Sequence, residues 1–210
     1  MFIKIFINYV THIIILVFAT DNNLQHLANN DNTLYADGTF YIFPSLFTQL
    51  YTLHALIDGA MFPLVFVLLP GKSYDIFTRF CNLLKTAYTQ RQIHLNPTTF
   101  FIDYEVALQN AARTSFPGIT IKSCCFHYTQ CIWRKVQATG LVINYKDEPE
   151  IHRLIRRASV SPLVPQAAIE DVWFHAQEDL ENSASTANTT TFTDYVTTHW
   201  VENNRHLWNY

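Results

Sequence analysis

The chain of 210 residues is long enough for one sizeable hydrophobic core with a second, smaller unit attached. Hydrophobic residues make up 49% of it and charged residues only 15%, a composition that excludes a disordered chain. The formal net charge of -3 gives no overall basic footprint, so attraction to nucleic acid would have to come from a local patch.

The first 20 residues allow two interpretations. An early lysine, an apolar run and a V-x-A ending together give the outline of a signal segment. The unbroken apolar stretch, however, is only Ile13–Ala19, which is too short to cross a bilayer and has the length of a buried strand. We favour the strand and expect no stable membrane association. Secretion or membrane targeting is the alternative.

After this strand, the sequence predicts a short helix and then three strands at about 33–43, 48–57 and 60–69. Asp58-Gly59 separates the last two strands and is typical of a tight hairpin. The third strand is apolar almost throughout, which favours burial on both faces. Because proline cannot donate to a sheet ladder, Pro63 predicts that this strand borders the sheet.

Helical spacing of apolar residues follows over about 70–90. A short strand then ends on Asp103, and a helix is predicted from about 104 to 115. The segment ITIKSCCF predicts a fifth core strand. It leads into the segment HYTQCIWRKVQATG, which is predicted to be a helix with Gly140 at its carboxyl end.

The character of the sequence changes at about residue 141, where helical composition takes over. A polar segment, NSASTANTTT, predicts a linker before a last, aromatic-rich helix. We therefore predict a core domain over residues 1–140 and a helical region over residues 141–210.

Two acids stand out in this order of elements. Asp37 lies within the first core strand, and Asp103 ends the fourth. If those strands are adjacent and parallel, the two carboxylates meet at one edge of a cleft, where a divalent cation would relieve their repulsion. Mg²⁺ is typically held by one or two carboxylates with water and substrate phosphates, and such ions promote in-line phosphoryl displacement.

Plain structural roles remain open for the same acids. An aspartate before glycine is often a turn or bulge residue, which applies to Asp37. Asp103 precedes a helix and has the position of an N-cap. Glu105 is interpreted as a first-turn acid that interacts favourably with the helix dipole.

The sequence resembles the Mutator-like element (MULE) transposase domain. The motifs that carry the resemblance occur in order over about residues 13–210: the strand with DGTF, the segment PSLFTQLYT, the segment DYE after a strand, and CCFHYTQCIWRK with its C-x2-H spacing. The resemblance implies an α/β, ribonuclease H-like fold, in which a mixed sheet of three antiparallel strands plus parallel strands is flanked by helices. A partial all-α insertion region would follow.

The resemblance also implies a DDE-type site for metal-dependent DNA strand cleavage and transfer, with Mg²⁺ or Mn²⁺ as cofactor. Asp37 would be the first acid and Asp103 the second. The family's third acid is a glutamate in an N-N-x-x-E motif, which we expect beyond Tyr210; the role is not transferred to Glu202. We therefore expect the isolated chain to be inactive. The alternative is a non-catalytic, domesticated module that binds DNA or protein.

The family further implies transposon ends and target DNA as partners, a homo-oligomer in full-length members, and a nuclear location. The number and clustering of the cysteines likewise favour a reduced, intracellular compartment over a disulfide framework.

A cluster of cysteine and histidine residues precedes two basic residues. Cys124 and Cys125, as neighbours on a predicted strand, would point to opposite faces, which argues against a closed zinc site with His127 and Cys131. By resemblance, Cys124 and His127 are the family's C-x2-H pair, with a structural or substrate-positioning role. Arg134 and Lys135 are candidates for contact with DNA phosphates, although a solvated helix face is the plainer interpretation.

Overall fold

The computed structural model describes residues 4–10, 13–30, 32–39, 44–181 and 187–208. The chain forms two compact units, Met1–Ile121 and Lys122–Tyr210. The predicted boundary at residue 140, between a catalytic core and a helical insertion, remains a prediction.

The described residues form a seven-stranded sheet. Its strands are β1 (Lys4–Val10), β2 (Ile13–Ala19), β3 (Thr33–Thr39), β4 (Gln49–Ile57), β5 (Ala60–Leu69), β6 (Thr99–Ile102) and β7 (Thr120–Ser123), in the spatial order β1-β2-β5-β4-β3-β6-β7. β3, β4 and β5 are antiparallel neighbours, whereas β3 and β6 run parallel. This mixed sheet confirms the predicted α/β class and is consistent with the ribonuclease H-like fold.

The amino-terminal segment forms a hairpin of strands. β2 covers Ile13–Ala19 as predicted, and β1 pairs with it in antiparallel register from Lys4↔Ala19 to Val10↔Ile13. β1 itself was not predicted. No helix in the described ranges is long and apolar enough to cross a membrane.

The Asp58-Gly59 turn joins β4 to β5 as predicted. Both residues adopt positive φ, 50° for Asp58 and 79° for Gly59, which is the backbone that a two-residue type I′ hairpin turn requires. The predicted strand 33–43 is observed over Thr33–Thr39, and residues 40–43 lie outside the described residues.

The prediction that Pro63 places β5 at the sheet border was wrong, because β5 lies between β2 and β4. Two features accommodate the proline. β2 pairs with β5 only along Phe66–Leu68, so Pro63 lies outside that ladder. On the β4 side, Pro63 pairs with His54 at a register shift, which is a position where the missing N–H is tolerated.

Three helices belong to the first unit: α1 (Asp21–Ala28), α2 (Tyr74–Thr89) and α3 (Val106–Ser115). One face of the sheet, called the covered face, carries fully buried side chains, among them Tyr51, Leu53, Val65 and Val67. The Tyr51 ring packs edge-on against Phe77 and Phe80 of α2, at centroid distances of 6.0 and 6.1 Å. Within the helical layer, the Tyr88 hydroxyl of α2 donates a hydrogen bond of 2.8 Å to the Leu24 carbonyl of α1.

The opposite side of the same strands, called the open face, carries Tyr35, Asp37, Thr52, His54 and Phe66. Each of these side chains is exposed or half-buried. The alternation of the strands therefore separates an apolar layer under the helices from a polar and aromatic surface.

One carbonyl aligns the starts of β3 and β6. The Asn32 carbonyl accepts hydrogen bonds from the backbone N–H groups of Thr98 at 2.8 Å and Thr99 at 3.3 Å. The Thr98 carbonyl in turn accepts from Thr120 at 2.8 Å. These bonds align three consecutive strands at the end where β3, β6 and β7 begin.

The second unit is helical. Its elements are α4 (Cys125–Ala138), α5 (Val142–Asp147), α6 (Pro149–Val160), α7 (Ile169–Glu181), α8 (Ala187–Tyr195), a π-helical segment (Val196–Glu202), α9 (Arg205–Trp208), and short 3₁₀ turns at Ser161–Leu163 and Gln166–Ala168. Its core includes fully buried aromatic side chains: Tyr128, Trp173, Phe192, Trp200 and Trp208. Gly140, with φ of 72°, follows the end of α4 as predicted.

The predicted linker NSASTANTTT is helical in its described half. Residues 182–186 lie outside the described residues, but α8 begins at Ala187, so the second half of the segment is helical. Thr189 is fully buried, which explains why a stretch of polar composition is ordered here.

Candidate active site

The two predicted acids lie on neighbouring parallel strands. β3 and β6 pair in the register Thr33↔Thr99, Leu34↔Phe100 and Tyr35↔Phe101. Two residues further along each chain are Asp37, still in β3, and Asp103, directly after β6. Because side chains alternate, both acids share the side of Tyr35 and Phe101, whose rings stack at 4.9 Å between centroids.

Asp37 is an exposed residue within a regular ladder. Its strand pairs with β4 without interruption from Tyr35↔His54 to Thr39↔Leu50, so Asp37 marks neither a turn nor a bulge. Its Oδ1 accepts a hydrogen bond of 2.9 Å from the N–H of Gly38. The Thr52 hydroxyl, directly across, donates to the Asp37 backbone carbonyl at 3.3 Å.

Asp103 is half-buried and shapes the turn that leaves β6. Its Oδ1 accepts a hydrogen bond of 3.0 Å from the N–H of Glu105, an Asx-type turn. The helix that follows begins at Val106, and its N-cap is Glu105, so the N-cap interpretation of Asp103 was wrong by two residues. The turn holds the Asp103 carboxylate at the carboxyl end of β6.

Glu105 differs from a helix-capping acid in its contacts. It is half-buried and forms no side-chain capping hydrogen bond, and its Oε2 is buried without a hydrogen-bond partner among the described residues. Burial raises the pKa of the Glu105 carboxyl, the negative charge of Asp103 raises it further, and the Lys72 ammonium lowers it. A carboxyl group therefore lies in a partly desolvated place beside Asp103.

Tyr51 brings a hydroxyl to the same region from the covered face. The side chain is fully buried, and its Oη has no hydrogen-bond partner among the described residues. Burial raises the pKa of Tyr51 well above its usual value, and the negative charges of Asp103 and Glu105 add to this. The sequence did not single out Tyr51, because a tyrosine at an inward strand position reads as an ordinary core residue.

His54 and Thr52 flank Asp37 on the open face. The His54 Nε2 lies 2.7 Å from the Thr52 hydroxyl. Burial lowers the pKa of the His54 imidazole, and the Asp37 charge raises it in partial compensation. The pKa of His54 therefore depends on the charge of Asp37.

The donor set of Asp37 and Asp103 suits a hard divalent cation. Magnesium is commonly bound by one or two carboxylates, with waters and substrate phosphates completing its shell. Along the described parts of the chain, no group of three or more His, Cys, Asp or Glu side chains is arranged to hold a metal ion. The acid pair therefore fits a cation whose coordination is completed by water and substrate.

The family's C-x2-H residues lie in the second unit. The prediction that Cys124 and Cys125 continue a strand was wrong: β7 ends at Ser123, Cys124 is the N-cap of α4, and Cys125 is its first residue. A hydrogen bond with the His127 side chain lowers the pKa of the Cys124 thiol, which burial opposes. None of the four cysteines, all within described ranges, forms a disulfide.

The two basic candidates differ in their surroundings on α4. Arg134 is exposed, as a phosphate contact requires. Lys135 is half-buried, and its Nζ lies 4.9 Å from the centre of the Tyr195 ring, a cation–π contact within the second unit.

A mixed sheet with two aspartates on adjacent parallel strands is consistent with a ribonuclease H-like fold that carries a candidate acidic site. The family model described as the MULE transposase domain matches residues 33–131, a range that contains both aspartates and the C-x2-H pair. The predicted resemblance is thereby confirmed over this range, which is narrower than the residues 13–210 expected. Among curated proteins, none matches the chain.

The match supports a transposase-type function of the Mutator-like class, associated with transposable elements. Such a domain implies DNA as a partner, and transposases of this kind generally use a divalent metal.

Proposed function

We propose that the chain is the MULE-type transposase domain of a DNA transposition enzyme, which cleaves and joins strands by metal-dependent phosphoryl transfer. Asp37 and Asp103 are the proposed ligands of Mg²⁺ or Mn²⁺. The observation that supports this most is the parallel register of β3 and β6, which puts the two acids at one level on one side of the sheet.

In the proposed reaction, the oxygen of water or of a DNA 3′-hydroxyl forms a bond to the phosphorus of a phosphodiester and loses its proton to solvent. The phosphorus–oxygen bond to the leaving deoxyribose breaks, and the released oxygen takes up a proton. A bound divalent cation neutralises charge on the phosphate and lowers the pKa of the attacking group. The chain contributes the position of its acids: the regular ladder with β4 fixes Asp37, and the hydrogen bond from the Glu105 N–H orients Asp103. The exposure of Asp37 leaves this edge of the sheet open to a polymeric substrate.

The remaining family features are assigned as part of the same proposal. Arg134 is the stronger candidate for a DNA phosphate contact, since Lys135 is engaged with Tyr195. Cys124 and His127 position the start of α4, through the hydrogen bond between their side chains. We further propose a nuclear location, a homo-oligomeric assembly, and a catalytic core over residues 1–140 followed by a helical insertion. The third acid of the family is not assigned to a residue.

The test is a plasmid-nicking assay with Mn²⁺, accompanied by titration of Mn²⁺ into the protein. Asp37→Asn and Asp103→Asn are expected to weaken Mn²⁺ binding, because each removes a charged ligand. Nicking by the wild-type chain that both substitutions reduce to the protein-free level would support the catalytic roles of the two acids and overturn the expected inactivity of the isolated chain. The matched control is Asp75→Asn, an exposed acid of α2 whose Oδ2 lies 2.9 Å from Arg79 Nε, and it should leave both readouts unchanged.

Nicking that persists in Asp37→Asn and Asp103→Asn would contradict the assignment of the two acids. Retention of DNA by a wild-type chain that neither nicks nor binds Mn²⁺ would favour the non-catalytic, DNA-binding alternative.

A further inference from the structure

Two buried polar atoms have complementary hydrogen-bonding capacity and no partner in the described part of the chain. Tyr51 Oη is a donor on a fully buried side chain, and Glu105 Oε2 is an acceptor on a half-buried one. A buried polar group left unpaired costs about 1–3 kcal/mol. Such groups are uncommon in folded proteins, and each calls for an explanation.

The sheet register explains how Tyr51 reaches this region. Tyr51 lies directly opposite Gly38, the residue after Asp37. Gly38 has no side chain, so β3 presents nothing on the covered face at that level, and β6 is the next strand beyond it. Nothing on β3 at this level therefore blocks a tyrosine from extending toward the next strand. The carboxyl end of that strand carries Asp103 and Glu105.

The electrostatics agree with this placement. Burial is the main cause of the raised pKa of Tyr51, and the negative charges of Asp103 and Glu105 come next, ahead of that of Asp37. This order is consistent with a phenol directed toward the end of β6.

We infer that Tyr51 is a positioning residue of the proposed cation site. Its hydroxyl donates through one water toward the carboxyl groups of Asp103 and Glu105, and this contact holds Asp103 in the orientation that serves a cation. This inference rests on the proposed function, since it assigns Tyr51 a role in the same acidic site. Hydrogen-bond partners behind a metal ligand typically change metal affinity 10- to 100-fold when they are removed.

A tyrosine of the same unit provides the matched control. Tyr88 is also buried, but its hydroxyl donates to the Leu24 carbonyl at 2.8 Å, a bond with a purely structural role. Tyr51→Phe and Tyr88→Phe each remove one oxygen from a buried ring. Nevertheless, Tyr51→Phe should change metal affinity without a loss of stability, and Tyr88→Phe should reduce stability without a change in metal affinity.

The experiment measures the Mn²⁺ dissociation constant by electron paramagnetic resonance and the metal-free urea midpoint for both variants. Tyr51→Phe should raise the Mn²⁺ dissociation constant about 10-fold or more and leave the midpoint unchanged or higher, because no protein hydrogen bond is lost. Tyr88→Phe should lower the midpoint and leave the Mn²⁺ dissociation constant unchanged.

A double variant tests the route through Glu105. If the hydroxyl acts through the Asp103–Glu105 pair, Tyr51→Phe combined with Glu105→Gln should weaken Mn²⁺ binding by less than the product of the two single effects. Fully multiplicative effects would overturn the inference. So would equal dissociation constants for wild type and Tyr51→Phe, or an equal loss of affinity in Tyr88→Phe.

The two proposals fail separately. Wild-type chain whose Mn²⁺ binding is absent, or is unchanged by Asp37→Asn and Asp103→Asn, overturns the proposed function and the Tyr51 inference with it. Mn²⁺ binding that depends on both aspartates but not on Tyr51 overturns the inference alone.

Discussion

The covered and open faces of the sheet are built from the same strands but from different chemistry. On β4, the inward residues Tyr51, Leu53 and Ala55 are fully buried, whereas Thr52 and His54 between them are half-buried. Area removed from water stabilises the fold at about 25 cal/mol per Å², so the covered face supplies most of the stability.

The open face keeps groups that a stability argument does not require. Asp37 is exposed and ionisable, and Phe66 retains 38% of its accessible surface. Strand alternation therefore places most of the stabilising contacts on one face of the sheet and the groups of the proposed chemistry on the other. Apart from the Tyr51 hydroxyl, substitutions on the covered face should change unfolding, and substitutions on the open face should change the electrostatics of the site.

The largest effect on stability is expected from the covered face. Phe80→Ala removes a fully buried ring that packs on Tyr51 and should reduce the free energy of unfolding by about 3–5 kcal/mol. The matched open-face variant, Phe66→Ala, should cost less than about 2 kcal/mol, because that ring is already partly in water. Urea denaturation measures both free energies of unfolding. Equal losses in the two variants would contradict the proposed difference between the faces.

A smaller effect tests the register of β3 and β6. The stacked rings of Tyr35 and Phe101 should be coupled by about 0.5–1.5 kcal/mol beyond their burial. A double-mutant cycle with Tyr35→Ala and Phe101→Ala, followed by urea denaturation, measures this coupling. A coupling energy of zero would place the two strands out of the register that aligns Asp37 with Asp103.

The smallest effect is on a pKa of the open face. Burial lowers the pKa of His54 while Asp37 raises it, so Asp37→Asn should lower the His54 pKa further. Because the folded-state pKa lies below the unfolded value, His54 contributes stability above about pH 6.5 that is lost as the pH falls through the folded pKa. Proton NMR titration of the imidazole measures the shift, and Asp75→Asn should leave it unchanged.

Strong local signals made much of the fold predictable. The seven apolar residues of β2 and the Asp58-Gly59 turn carry their structure in short stretches of sequence. The parallel pairing of β3 and β6, which the sequence analysis stated as the condition for bringing the two acids together, is observed. The strands that carry the candidate site could therefore be located from the sequence.

Features set by distant partners were not predictable in the same way. Pro63 favoured an edge strand. However, on the β2 side the missing N–H matters only where β2 pairs with β5, and that pairing does not reach Pro63. The apolar character of Cys124 and Cys125 favoured a strand, and neither is a typical N-cap residue, so the start of α4 was placed too late. In both places, the tertiary structure overrode the local preference of the residues for an edge strand or for a strand.

Tyr51 shows the same limit within the site. Its alternation with Leu53 predicts a core position, and it does lie in the core. Whether its hydroxyl finds a partner depends on Gly38 across the ladder and on the turn after β6, about 50 residues away. The signal that could have identified Tyr51 was its position opposite Gly38, the glycine that follows Asp37.

The Asn32 carbonyl has a consequence for how this domain tolerates changes in length. Asp37 lies five residues beyond Asn32, and Asp103 lies five residues beyond Thr98, which donates to that carbonyl. Residues inserted at 90–96 leave both counts intact. One residue inserted between Thr98 and Asp103 turns the second acid to the covered face. An insertion in the loop before β6 should therefore leave the two acids aligned, whereas an insertion of one residue within the short stretch after Thr98 should separate them.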